Sequence, residues 1–137
     1  MPDSFLPNDI KLVYTAGPYR APTINGVQEN LWKARQTAVK YWRKGFGVIC
    51  PHMNTAYMDG AMAHAAGFAD SDIFIKADLQ MIEKCIDIVV MIPGWEKSEG
   101  AKIEHRFALH CGKEIFYETE EGIRDYEWEP QAVEAVV

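Results

Sequence analysis

Short apolar runs alternate along this chain with longer stretches in which apolar residues recur every three or four positions. The runs read as strands and the longer stretches as amphipathic helices. "IKLVYTA" (Ile10–Ala16), "FGVIC" (Phe46–Cys50), "DIVVMIP" (Asp87–Pro93) and "KEIFYE" (113–118) are the strand candidates. The third is apolar almost throughout, as expected of a strand buried on both faces. Val27 to Lys44 carries helical spacing through Leu31, Ala34, Ala38, Val39 and Trp42, and Gly45 ends it. A second helix runs from a cap at Ser71 or Asp72 to about Ile86, and a third from an N-cap at Ser98 to Gly112. Three loops follow strands: "GPYRAPTING", the long stretch 52–70 rich in Met, Ala, Gly and His, and "GWEKS". A loop as long as 52–70 in a small domain is expected to be a lid or binding loop, with room for one short helix. After Glu118 the sequence turns acidic and irregular.

Strands alternating with helices predict right-handed βαβ units and a doubly wound parallel sheet. In such sheets ligands bind beyond the carboxyl ends of the strands, near the point where strand order reverses. The informative loops are therefore the three just named.

Two helices break their own pattern. At about 100° per residue, Ala101, Ile103, Phe107, Ala108 and Cys111 fall on one arc of the third helix, with Lys102, Arg106 and His110 opposite. Glu104 lies inside the apolar arc. A Leu there would gain about 1.5–3 kcal/mol from burial, whereas an unpaired buried carboxylate costs several kcal/mol or takes up a proton. In the second helix, Phe74, Ile75, Leu79, Met81, Ile82 and Cys85 form the apolar arc and Asp78 sits in its middle. Each carboxylate has a plain structural reading, as a group that caps a loop or pairs with an Arg. Two of them, on helices flanking one buried strand, point instead to chemistry. Paired carboxylates in a dry cleft suit glycosyl transfer, where one attacks or stabilises the anomeric carbon and the other handles protons. Asp70, Asp72 and Asp87 lie at element ends and need no functional account.

Composition narrows the partners. The 137 residues amount to one domain, and the net charge of −6 argues against a nucleic acid polymer or an anionic membrane. It leaves room for a small phosphate ligand. Cys50, Cys85 and Cys111 are odd in number and far apart, so buried free thiols in a reducing cytoplasm are expected. The histidines show no metal-ligand spacing, and neither a metal nor a cofactor is expected. No dinucleotide or P-loop glycine pattern is present. The start of the chain lacks the features of a signal peptide, and no apolar run approaches a membrane span. Ser98 and the amides of Glu99 and Gly100 offer an anion site at a helix N-terminus, or a plain cap. "GPYR" offers backbone amides and Arg20, or a turn with a solvated Arg. Trp95 would stack on a base or cover the core; Trp32 and Trp42 read as packing residues. Tyr14 and Tyr19 flank the end of the first strand as core or rim.

"VYTAGPYR", "DLQMIEKCIDIVVMIPGW" and "SEGAKIEHRFALHCGKEIFY" together resemble the nucleoside 2-deoxyribosyltransferase family, which includes 2′-deoxynucleoside 5′-phosphate N-hydrolases. The likeness spans roughly Leu12 to Tyr117. It implies an α/β, flavodoxin-like (Rossmann-like) sheet of four to five strands in a single domain, and a homodimer or larger assembly, with the acidic tail 118–137 at a subunit interface. It places Glu104 as the nucleophile that forms a glycosyl ester at C1′, Asp78 as the group assisting proton transfer to the base, and Tyr14 as the residue orienting the nucleophile. Gly17 and Arg20 fall near sugar and phosphate, and Tyr19 at a base-stacking position. Ser at position 98, rather than Asp, fits a nucleotide 5′-phosphate. Gly100, Trp95 and His52 complete the expected substrate contacts. The expected activity is N-glycosidic cleavage of a (deoxy)nucleoside 5′-monophosphate. The alternatives are base exchange between deoxynucleosides and a non-catalytic nucleotide-binding module.

Overall fold

A computed structural model describes residues 10–54 and 72–124. The elements are β1 (Leu12–Ala16), α1 (Ile24–Arg43), β2 (Gly47–Ile49), α2 (Pro51–Asn54), α3 (Asp72–Cys85), β3 (Ile88–Met91), a 3₁₀ turn (Trp95–Lys97), α4 (Glu99–His110), β4 (Glu114–Tyr117) and α5 (Glu120–Arg124). The four strands form one sheet in the order β2-β1-β3-β4, parallel throughout. This is the single-domain α/β architecture expected, with strand order reversing between β1 and β3.

Side-chain alternation on the strands assigns the two faces. Tyr14 and Ala16 of β1, with Val89 and Met91 of β3, pack under α3 and α4 against Ile82, Ile86, Ala101 and Ala108. Val13, Ile88 and Val90 face the other way, onto Tyr41 of α1. All four residues of β3 are buried, as its unbroken apolar run requires. Helix α1 starts earlier than its periodicity suggested, because Thr23 caps it: its side chain accepts from the Gly26 amide. Gly45 ends it with φ +94°, a left-handed conformation suited to glycine.

Several expectations need correction. Ile103 is 41% exposed, because the buried stripe of α4 is centred on Ala101, Glu104 and Ala108 and leaves Ile103 at its margin. The stripe of α1 runs through Ala34, Thr37, Ala38 and Tyr41, so Trp42 and Trp32 are surface residues. Trp32 lies under the Arg124 guanidinium, 5.5 Å from ring to cation. Of the thiols only Cys50 is buried; Cys111 is half-buried and Cys85 exposed. The chain after Glu118 is not irregular at once, since α5 forms and packs on α1. The 52–70 loop, except for the α2 turn at its start, and tail residues 125–137 lie outside the described residues.

Candidate active site

Tyr14 lies in the middle of β1, beside the strand-order reversal, and points to the α3–α4 face. Asp78 comes down from the middle of α3 and Glu104 from the second turn of α4, two helices that pack against each other. The structure thus brings together the three residues that sequence and resemblance singled out as catalytic. Tyr14 is fully buried, Glu104 is 7% exposed and Asp78 is half-buried.

Nothing among the described residues neutralises them. The Tyr14 hydroxyl and Glu104 Oε2 are buried without a hydrogen bond of good geometry. The hydroxyl nevertheless lies close enough to both carboxyl groups to favour their ionised forms. Burial is the larger effect. It pushes Glu104 up to about 8, with the nearby Asp78 charge adding to it, and Asp78 up to about 6. Burial and the same two carboxylates drive the Tyr14 hydroxyl well above its ordinary value, so it is a neutral donor. A buried acid and a half-buried one of unequal strength, beside a neutral donor, are equipped to hold and pass a single proton.

The surrounding residues differ in how far the fold explains them. Ser98 is the N-cap of α4, and its Oγ accepts from the Ala101 amide at 3.2 Å. Its hydroxyl hydrogen remains available to a ligand. Gly100 has open space where a Cβ would stand, so no packing demands glycine at this position in the first turn. Gly17 is different: a Cβ there would come within 2.6 Å of Ile92 Cβ, so glycine lets the loop after β1 lie against the end of β3. Arg20 is exposed on that loop. Asn30 of α1 anchors the loop from behind, donating to the Tyr19 carbonyl at 3.1 Å.

His52 is buried, not on the rim. Its Nε2 meets the Pro18 carbonyl at 3.0 Å and its ring stands edge-on to Tyr19 at 6.1 Å. Burial lowers its pKa, so the ring is neutral and Nε2–H donates. His52 holds the 17–20 loop in place. Trp95 packs on His105 at 4.3 Å between ring centroids, and His105 Nε2 meets the Tyr117 hydroxyl at 2.8 Å. No helical or strand period links these three residues, and the cluster was not foreseen. No group of His, Cys, Asp and Glu among the described residues is arranged to hold a metal. No described helix is long and apolar enough to cross a membrane.

A family model covers residues 11–117 and is described as a domain of unknown function, DUF4406. The chain belongs to this family. No curated protein matches it. The DUF4406 match begins at the start of β1 and ends with β4, so it takes in Tyr14, Asp78, Ser98 and Glu104 together.

Proposed function

We propose that this cluster cleaves the N-glycosidic bond of a (deoxy)nucleoside 5′-monophosphate. The observation that carries the reading is the convergence of the buried Glu104 and Tyr14 and the half-buried Asp78 at the strand-order reversal, with no cation acting on either carboxyl group among the described residues. Folding alone disfavours that arrangement, whereas glycosyl chemistry needs a nucleophile and an acid of different strengths. Likeness to the nucleoside 2-deoxyribosyltransferase family adds the direction of the reaction.

In this mechanism the single proton that the two acids share sits on Asp78 when Glu104, ionised, attacks C1′ and the C1′–N bond breaks. Its electron pair leaves with the base, and Asp78 supplies the base with a proton. Water then cleaves the glycosyl ester with retention, Asp78 accepting the water's proton. Ser98 donates its hydroxyl to the 5′-phosphate at the N-terminus of α4, where the helix dipole and the open backbone at Gly100 favour an anion. Arg20 and Tyr19 approach from the loop after β1. The three free thiols, one of them exposed, fit a reducing cytoplasmic setting. A second copy of the chain completes the site in this reading.

Incubating the protein with each ribo- and deoxyribonucleoside monophosphate, with and without a second free base, tests the proposal. Release of free base from a monophosphate is the expected result. Exchange only when an acceptor base is present would replace hydrolysis with transfer. Binding without turnover would leave a nucleotide-binding module.

A further inference from the structure

We propose that His52 and Asn30 are positioning residues for substrate binding: between them they hold three consecutive carbonyls of the loop after β1, and so fix the direction in which Tyr19 and Arg20 leave the backbone. This deepens the glycosidase reading and rests on it for the ligand that the loop meets.

The grip comes from two separate elements. Buried His52, in α2, puts Nε2 3.0 Å from the Pro18 carbonyl. A carbonyl can only accept, so Nε2 carries the hydrogen. Half-buried Asn30, in the second turn of α1, donates through Nδ2 to the Tyr19 carbonyl at 3.1 Å and to the Arg20 carbonyl at 3.5 Å. The His52 ring also stands edge-on to the Tyr19 ring, 6.1 Å between centroids. The opposite side of the loop has little room. A Cβ at Gly17 would come within 2.6 Å of Ile92 Cβ, and one at Gly94 within 3.5 Å of Pro18 Cγ. The loop is thus wedged between α1 and α2 on one side and the chain leaving β3 on the other.

The described peptide bonds are all trans, so a held carbonyl fixes the plane of the peptide that follows it. The Pro18 carbonyl sets the plane that enters Tyr19, and the Tyr19 carbonyl sets the one that enters Arg20. Folding alone accounts poorly for His52. Its Nδ1 is buried with no hydrogen-bond partner among the described residues, which costs stability. A loop that served only as a connection would leave its carbonyls to water. Here two side chains take them, beyond the carboxyl end of β1, where a parallel sheet with this reversal of strand order binds its ligands. A loop ordered beforehand spares the substrate the cost of ordering it. His52 and Asn30 act through that loop and not on the reacting atoms, so they govern binding and leave bond cleavage alone.

Kinetics with a nucleoside monophosphate test the pair. His52→Leu and Asn30→Ala should each raise KM about 10-fold, because the substrate must then order the loop. Single-turnover cleavage at saturating substrate should stay within a few-fold of wild type. His52→Gln, whose amide nitrogen can donate to the same carbonyl, should keep KM within a few-fold of wild type. On an Arg20→Ala background, His52→Leu should raise KM by a smaller factor than on wild type, since one of the groups it positions is gone. An unchanged KM in either His52→Leu or Asn30→Ala, a loss confined to the cleavage step, a Gln variant no better than Leu, or equal factors on the two backgrounds would overturn the proposal.

Nitrogen NMR of the intact chain needs no substrate. At pH 7 the His52 ring, assigned by the signal missing in His52→Gln, should carry its hydrogen on Nε2; a hydrogen on Nδ1 alone overturns the proposal. Backbone order parameters of Tyr19 and Arg20 should lie near the rigid value of about 0.85 in wild type and fall toward about 0.6 in His52→Leu and Asn30→Ala, with β1 unchanged. Equal values in wild type and variants also overturn it. Should His52→Leu not fold, as its melting temperature would tell, Asn30→Ala and the ring tautomer decide. If wild type cleaves no monophosphate, the glycosidase reading fails, and the tautomer and order parameters alone decide whether these residues set the loop.

Discussion

The two faces of the sheet each bury a glutamate beside a tyrosine, and the fold treats the two pairs in opposite ways. On the α1 side, Tyr41 donates to Glu118 Oε1 at 2.6 Å, and Lys40 reaches both carboxylate oxygens at 2.9 and 3.0 Å. Lys40 also donates to the Gly122 carbonyl, so one ammonium ties the end of β4 and the start of α5 to α1. Burial pushes Glu118 up, but the bonds from Lys40 and Tyr41 outweigh it and hold its pKa below the ordinary value. On the α3–α4 side, Tyr14 and Glu104 have no such cation among the described residues, and Glu104 rises to about 8. A carboxylate that is satisfied serves stability. One left unsatisfied costs stability, and such groups concentrate at functional sites.

The largest effect that sharpens this contrast is on turnover. Glu104→Gln keeps the shape of the site and removes the proposed nucleophile. Base release from a monophosphate should fall at least about 10³-fold, each factor of ten being about 1.4 kcal/mol of barrier. Because a neutral amide is no harder to bury than the group it replaces, the variant should fold as well as wild type. Activity within a few-fold of wild type would remove Glu104 from the mechanism.

Lys40→Met makes the complementary break. It leaves Glu118 buried without its cation and should destabilise the domain by about 3 kcal/mol, read from urea unfolding. The turnover of the folded fraction should not change. A loss of turnover without a loss of stability would mean that the two faces are not independent.

Substituting Ser98→Asp tests the phosphate end of the site. Like charges at about 4 Å and an effective dielectric near 20 repel by about 4 kcal/mol before solvent and salt reduce it. The kcat/KM for the monophosphate should therefore fall about 10- to 100-fold, while that for the matching nucleoside is spared. Equal losses for both substrates would remove the phosphate from this helix terminus.

Per pH unit the smallest effect is a slope. Glu104 has a folded pKa of about 8 against an ordinary 4.5, and Asp78 about 6 against 3.8. A raised pKa gives stability that is complete below the ordinary value and lost as pH rises through the folded one. Between pH 5 and pH 8, wild type should therefore lose stability relative to Glu104→Gln, by at most about 1.4 kcal/mol per pH unit for one proton. Glu118 works the other way: its stabilisation is present at neutral pH and lost as acid protonates it. Parallel pH profiles for wild type and Glu104→Gln would show that Glu104 is ionised throughout.

Much of this is legible in the sequence. Four apolar runs marked the strands, and helical spacing between them was enough for a parallel α/β sheet. Glu104 and Asp78 were visible because each broke the apolar arc of its own helix. Tyr14 was visible only as core or rim, and the family likeness gave it a role. Other features could not be read locally. Trp42 satisfied helical spacing yet lies outside, because a wheel fixes angles between residues but not which angle meets the sheet. Nothing in the helical spacing of α1 sets Lys40 apart, and its partner lies 78 residues away.

By itself, the sequence determined the elements, because strand and helix periods are set by backbone geometry and appear in any window of a few turns. It also determined that two acids would be carried toward the interior. Only the tertiary structure decided what each acid would meet there. The sheet order placed Tyr14 on the face that α3 and α4 cover, and the packing of α1 against α5 gave Glu118 its lysine. Whether a buried carboxylate stays charged depends on neighbours within a few ångströms, and those neighbours come from parts of the chain that no local pattern connects.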